Sequence, residues 1–167
     1  MKPTILLVDD DKEMFEVIVV ELCEKYNILT ASNAKQALQI LSQDVVHLII
    51  SDVMMPVMDG FEFCNIIKSI LEYSSLPFIL LSVKNTIQWR IKGLEMGADA
   101  YIEKPFDTKH LLAQIANLLT NRNKIKSYLA HSPLLYLKGI APKRVEEAFL
   151  DKLNNVISAN LADADLD

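Results

Sequence analysis

Five short apolar runs, each followed by a segment of helical apolar spacing, constrain what this chain can fold into more than any other feature. Thr4–Val8 reads as a buried strand, and Met14, Phe15, Ile18, Val19 and Leu22 then recur at helical intervals. The same alternation predicts strands at Ile28–Ala31, His47–Ser51, Pro77–Leu81 and Ala100–Glu103. The helices after them are marked by Ala34, Ala37, Leu38 and Leu41, by Phe63, Ile66, Ile67, Ile70 and Leu71, by Ile87, Ile91 and Leu94, and by Leu111, Leu112, Ile115, Leu118 and Leu119. Ser32 or Asn33, Asp59 and Asp107 stand where helix N-caps are needed, and Gly97 where a left-handed C-cap fits. Strands that are apolar throughout and separated by helices belong in a parallel sheet covered on both faces. Right-handed crossovers then leave an α/β fold with a doubly wound five-stranded parallel sheet, (βα)5. In such sheets, sites form where loops leave the carboxyl ends of the strands.

The pattern changes after Asn121. Leu111, Ile115, Leu118, Arg122, Ile125 and Leu129 step by four and three, so the fifth helix is expected to run on to about residue 130, as a seam that could pair two chains. Arg122 weakens that seam. Residues 131–142 hold two prolines and a glycine and read as a linker, and Val145, Ala148, Phe149, Leu153, Val156 and Ile157 mark one more amphipathic helix. The expected divisions are a domain at 1–121, an extended helix and linker at 122–142, and a helical tail at 143–167. Charge divides at the same place. Residues 1–121 carry 10 Lys and Arg against 16 Asp and Glu, whereas residues 122–167 carry 7 against 6.

Composition excludes several classes. With 51% apolar and 23% charged residues, the chain can build a packed core. A net charge of −5 makes it a poor candidate for holding nucleic acid through phosphates, so no nucleic acid is expected on this segment. Two cysteines, Cys23 and Cys64, suit a reducing cytoplasm better than a disulfide scaffold or a zinc site. No apolar stretch approaches the ~18 residues of a membrane span, and the N-terminal run is too short for a signal peptide.

The predicted strand ends carry chemistry of one kind. Asp9, Asp10 and Asp11 follow the first strand, Asp52 the third and Ser82 the fourth, while Lys104-Pro105 follows the fifth. Gathered carboxylates repel unless a cation neutralises them, and hard oxygens with open positions suit Mg²⁺. An ammonium and a hydroxyl beside such a site can serve the oxygens of a phosphoryl group. A carboxylate would then be the nucleophile, giving an acyl phosphate. Asp11 and Glu13 are read as first-turn acids favoured by the helix dipole, and Asp59-Gly60 as a turn and cap. His47, His110 and His131 are scattered and suggest no metal or relay.

ILLVDDD at 5–11, SDVMMPVMDG at 51–60, PFILLSV at 77–83 and GADAYIEKPF at 97–106 resemble the receiver domain of two-component response regulators. The resemblance covers roughly residues 3–121. It implies a flavodoxin-like strand order 2-1-3-4-5 and a signalling role, with a histidine kinase as phosphodonor. It implies Asp52 as the phosphoacceptor, with Mg²⁺ held by Asp10 and Asp52 directly, Asp9 largely through water, and the Met54 carbonyl. It further implies Ser82 as the switch hydroxyl, Lys104 as the phosphate-pairing amine, Tyr101 as the ring that turns inward, and a cis Lys104-Pro105 bond. Val83 departs from the small residue usual beside the hydroxyl and is expected to crowd the phosphoryl path. Ser82 stands where Thr is commoner.

The tail, KRVEEAFLDKLNNVISANLADADL, is similar to the segment leading into an arabinose-regulator-type helix-turn-helix domain. That arrangement resembles the C-terminal receiver of a hybrid sensor histidine kinase. Two other functions compete with the switch. Asp9-x-Asp11 with a later Ser and Lys also sketches a haloacid-dehalogenase-type phosphohydrolase, with Asp9 as nucleophile and Asp11 as acid, although no acidic pair follows Lys104 to complete it. An inert scaffold would keep the fold without the chemistry, which the full set Asp9, Asp10, Asp52, Ser82 and Lys104 argues against. Flavin binding fails on the acidic first loop, where a phosphate cradle needs Gly, Ser or Thr. Expected partners are therefore a histidine kinase and a second copy of the chain, through the fifth helix and tail.

Overall fold

The computed structural model describes residues 1–131. Strands β1 (Thr4–Val8), β2 (Asn27–Ala31), β3 (Leu48–Asp52), β4 (Phe78–Ser82) and β5 (Ala100–Glu103) alternate with helices α1 (Lys12–Leu22), α2 (Ala34–Gln43), α3 (Gly60–Ser69), α4 (Ile87–Glu95) and α5 (Thr108–Ala130). All neighbouring strands are parallel, in the order β2-β1-β3-β4-β5. The doubly wound sheet is as the periodicity and the resemblance imply.

Strand alternation feeds two cores. Leu6, Val8, Ile49, Phe78 and Leu80 pack with Ala37 and Leu41 of α2 and with Phe63, Cys64 and Ile67 of α3. Ile5, Leu7, Leu48, Ile50, Ile79 and Leu81 pack on the other face with Ile18 and Leu22 of α1 and with Leu111, Ile115 and Leu119 of α5. Burial of Cys64 pushes its thiol up to about 12, so it packs as a small apolar group. The caps follow the sequence. Asn33 and Asp59 accept the N–H groups of Gln36 and Glu62, Asp107 accepts from Lys109, and Gly97 has φ +97°.

Three expectations need correction. Strands β3 and β4 each lie one residue later than the apolar runs suggest, because Asp52 and Ser82 still sit in the ladder, opposite Leu81 and Glu103. Asp11 is the N-cap of α1, its carboxylate accepting the N–H groups of Glu13 and Met14, and is not a first-turn acid. Ile87, Ile91 and Leu94 are 69%, 49% and 61% exposed, so the apolar stripe of α4 faces outward. Gly93 instead faces the sheet, where a Cβ would meet Tyr101 at 2.9 Å and Leu80 at 3.3 Å.

In α5, Leu111 and Ile115 are fully buried on the sheet and Leu118 packs beside them, so the first half of the 4-3 stripe is spent inside the domain. Arg122 donates from Nη1 to the His47 carbonyl at 3.0 Å, while its buried Nε has no hydrogen-bond partner. The first compact unit ends there, at Arg122, and the described residues 123–131 belong to a second. Ile125 in that stretch is 55% exposed. The expected linker from 132 onward, the helix at Val145 to Ile157 and the helix-turn-helix segment lie outside the described residues.

Candidate functional site

Parallel strands deliver their last residues to one edge, and two neighbouring strands here, β1 and β3, end just before an acid and in one. The backbone of Asp9, directly after β1, is tied to β2 by its N–H to the Ala31 carbonyl at 3.1 Å. Its side chain is 1% exposed. Asp52 closes β3 at 7% exposure, and Asp10 next to Asp9 is exposed. One carboxylate oxygen from each of Asp9, Asp10 and Asp52 can be chosen so that all lie within 4.8 Å. Such a spacing fits one small divalent cation, with oxygen donors and open positions for water.

Lys104 reaches this cluster from the end of β5. Its Nζ lies 3.1 Å from Asp9 Oδ2 and 3.1 Å from Asp52 Oδ1. The Lys104-Pro105 bond is cis, and the Lys104 N–H donates to the Ser82 carbonyl at 2.7 Å. Asp9 uses its other oxygen to accept the Asp11 N–H at 2.9 Å.

The charges set one another. Burial pushes the Asp52 carboxyl above its ordinary range; Lys104 pulls it down, Asp9 and Asp10 push it up again, and the net direction is up. Burial pulls the Lys104 ammonium down, but Asp52 and Asp9 outweigh burial and its net direction is also up. The site thus holds one cation against three acids and has room for more positive charge.

Ser82 is fully buried at the end of β4, and its Oγ accepts the Lys84 N–H at 3.0 Å. Tyr101 is half-buried on β5 and donates its hydroxyl to the Lys84 carbonyl at 2.7 Å. Lys84 therefore touches both groups through its backbone, and its Nζ lies over the Trp89 ring at 5.6 Å. Trp89 is half-buried and meets Phe61 at 5.4 Å between centroids. Met54 is exposed just beyond β3, and Val83, directly after Ser82, is 64% exposed.

Sequence reading missed two contributors. A Cβ on Gly60 would collide with the Asp52 carbonyl oxygen and lie 2.9 Å from Val53 Cα, so only glycine lets α3 start so close to the acidic strand end. The signal was present in Asp59-Gly60, but a cap and turn accounted for both residues. Lys84 acts through main-chain atoms, which leave no trace in residue type.

Comparison with protein families matches residues 5–116 to the family described as the response regulator receiver domain. A protein named Histidine kinase P4 from Formosa agariphila is 37% identical over 166 residues, which cover 99% of this chain and 12% of that protein. A probable transcriptional regulator ycf27 from Porphyra purpurea is 37% identical over 129 residues, covering 77% of this chain and 52% of that protein. The chain thus spans from about an eighth to about half the length of these two relatives. Among solved structures, a CheY-like receiver domain protein from Methanospirillum hungatei superposes with a TM-score of 0.69 at 26% identity, over 74% of this chain and 98% of that one. The receiver domain of a signal transduction histidine kinase from Syntrophus aciditrophicus gives 0.67 at 33% identity, over 71% and 91%. The fold, the acidic edge and these matches agree: the chain belongs to the response regulator receiver domain family.

Proposed function

We propose that the chain accepts a phosphoryl group on Asp52 from a phosphohistidine of a histidine kinase and switches a downstream partner in two-component signalling. The observation that carries this reading is Lys104, placed 3.1 Å from both Asp9 and Asp52 in a pocket that also holds Asp10. An Asp52 oxygen bonds to phosphorus as the phosphorus–nitrogen bond to the donor imidazole breaks, and the nitrogen keeps the electron pair and takes up a proton. Lys104 pairs with the incoming phosphoryl oxygens, and the Ser82 hydroxyl would hydrogen-bond one of them. Asp9, Asp10, Asp52 and the Met54 carbonyl would hold Mg²⁺, which supplies the charge neutralisation this acidic pocket lacks. Tyr101 would register the change through Lys84.

The geometry disfavours the phosphohydrolase alternative. Asp9 has both oxygens engaged, by the Asp11 N–H and by Lys104, and Asp11 is occupied as a helix cap. The test is incubation with acetyl phosphate and Mg²⁺ followed by peptide mapping. Label on Asp52 alone supports the reading; label on Asp9, or any incorporation into Asp52→Asn, overturns it.

A homodimer through α5 beyond Arg122 and the tail is part of the same proposal. Exposed Ile125 supports it, as does the apolar stripe that the sequence places at Val145 to Ile157. No described helix is long and apolar enough to cross a membrane.

A further inference from the structure

Val57 sits in the loop between β3 and α3 with φ +69°, the one non-glycine residue of positive φ among the described residues. The Met58 N–H donates to the Pro56 carbonyl at 2.8 Å, closing a three-residue turn around it. That turn is strained, and a β-branched residue is among the worst choices for left-handed backbone. Glycine or asparagine would hold it without the penalty. Nothing in the domain core offsets the choice, because the Val57 side chain is fully exposed. A strained position that keeps an apolar side chain in water points to an encounter in which that side chain leaves water.

Its surroundings say where. Met54, in the same loop, is 50% exposed, and Val83, at the start of the neighbouring β4–α4 loop, is 64% exposed. The two loops leave the sheet side by side, with the Val53 N–H bonded to the Leu81 carbonyl at 2.9 Å. Three exposed apolar side chains thus stand beside the edge where Asp52, itself 7% exposed, must be reached. A small donor needs only the acidic pocket. A protein donor must also desolvate the surface around it, and an apolar rim both gains from that and excludes water from the transfer.

We infer that Val57, with Met54 and Val83, forms an apolar docking rim for the protein that carries the phosphohistidine, and that Val57 is a specificity-determining residue for protein donors over small ones. This rests on the phosphoacceptor reading of Asp52, and the experiment separates the two. The full chain is labelled in parallel from acetyl phosphate and from the Formosa agariphila histidine kinase, autophosphorylated with ATP and deleted for the segment that matches this chain. Wild type, Val57→Asn and Val57→Ile are compared.

Expected is transfer from the kinase that falls roughly tenfold in Val57→Asn, the loss of one buried apolar contact, with Val57→Ile close to wild type. Acetyl phosphate labelling should stay within about twofold in all three. Val57→Asn should also melt higher than wild type, because asparagine tolerates the turn, so slower transfer could not be blamed on misfolding. Equal kinase transfer to wild type and Val57→Asn overturns the inference, as does wild-type labelling from the kinase no faster than from acetyl phosphate. Self-association of wild type that Val57→Asn abolishes would assign the rim to a second copy instead. Failure of acetyl phosphate to label wild type at Asp52 would overturn the phosphoacceptor reading and the inference with it.

Discussion

Lys104 Nζ and Asp52 Oδ1 lie 3.1 Å apart, yet the Asp52 carboxyl is still held above its ordinary range, because burial and the two neighbouring aspartates outweigh the lysine. A raised folded-state value means the folded chain binds that proton more tightly than the unfolded chain. Stability from this group is therefore lost as pH rises from the ordinary carboxylate range through the raised value, and ionised Asp52 is a cost at neutral pH. Asp52→Asn should raise the melting temperature at neutral pH in chelator, and the gain should shrink toward pH 4. Mg²⁺ at a hundred times its dissociation constant should stabilise wild type by about 2.7 kcal/mol and the variant by much less. A lower melting temperature for Asp52→Asn in chelator would refute this account.

The opposite sign is expected at the other end of the pair. Lys104→Met leaves Asp9 and Asp52 buried without their cation and should cost about 3 kcal/mol in chelator. Because the Lys104 ammonium is raised above its ordinary 10.5, its contribution is present below that value and is lost as pH rises through the raised one. Denaturant melts of wild type and variant from pH 7 to 11 should differ by that amount up to about pH 10 and begin to approach each other above 10.5. Coincident curves from pH 7 to 10 would show that the pair does not contribute.

Gly60→Ala should destabilise by about 2 kcal/mol and slow acetyl phosphate labelling together, since the new Cβ must push either α3 or the Asp52 carbonyl. Urea titration and labelling rate are the two readouts. Full stability with normal labelling would show that the close approach is readily relaxed.

Tyr101→Phe removes the hydroxyl that holds the Lys84 carbonyl, and Lys84 lies over the Trp89 ring. Binding of a phosphate analogue with Mg²⁺ should change Trp89 fluorescence in wild type and clearly less in the variant. Identical responses would disconnect Tyr101 from the site.

Light scattering at tens of micromolar should give the full chain a dimer mass and a chain ending at Asn121 a monomer mass. A monomeric full chain, phosphorylated or not, would refute the α5 and tail dimer.

The sheet was legible because buried parallel strands are apolar throughout and leave runs that stand out against helical periodicity. The acidic edge was legible because topology alone brings Asp9, Asp52 and Lys104 to one side. The outward stripe of α4 was not. Ile87, Ile91 and Leu94 have core spacing, yet the face that packs inward is carried by half-buried Trp89 and by Gly93, which has no side chain to announce it. Strand ends slipped by one residue because Asp52 and Ser82 are polar yet still paired in the ladder. The turn at Val57 was hidden for the opposite reason: valine is an ordinary surface residue until its φ is known.

Lys84 offers its N–H to Ser82 and its carbonyl to Tyr101, and neither bond uses its side chain. The two groups are therefore tied by a length of main chain that almost any residue could provide. Drift at position 84 can retune the surface above Trp89, or the chain's choice of partners, while the mechanical tie stays intact. Proline is the exception, since it has no N–H to give Ser82. A link of this kind is inherited with the fold and does not depend on any particular residue at that position.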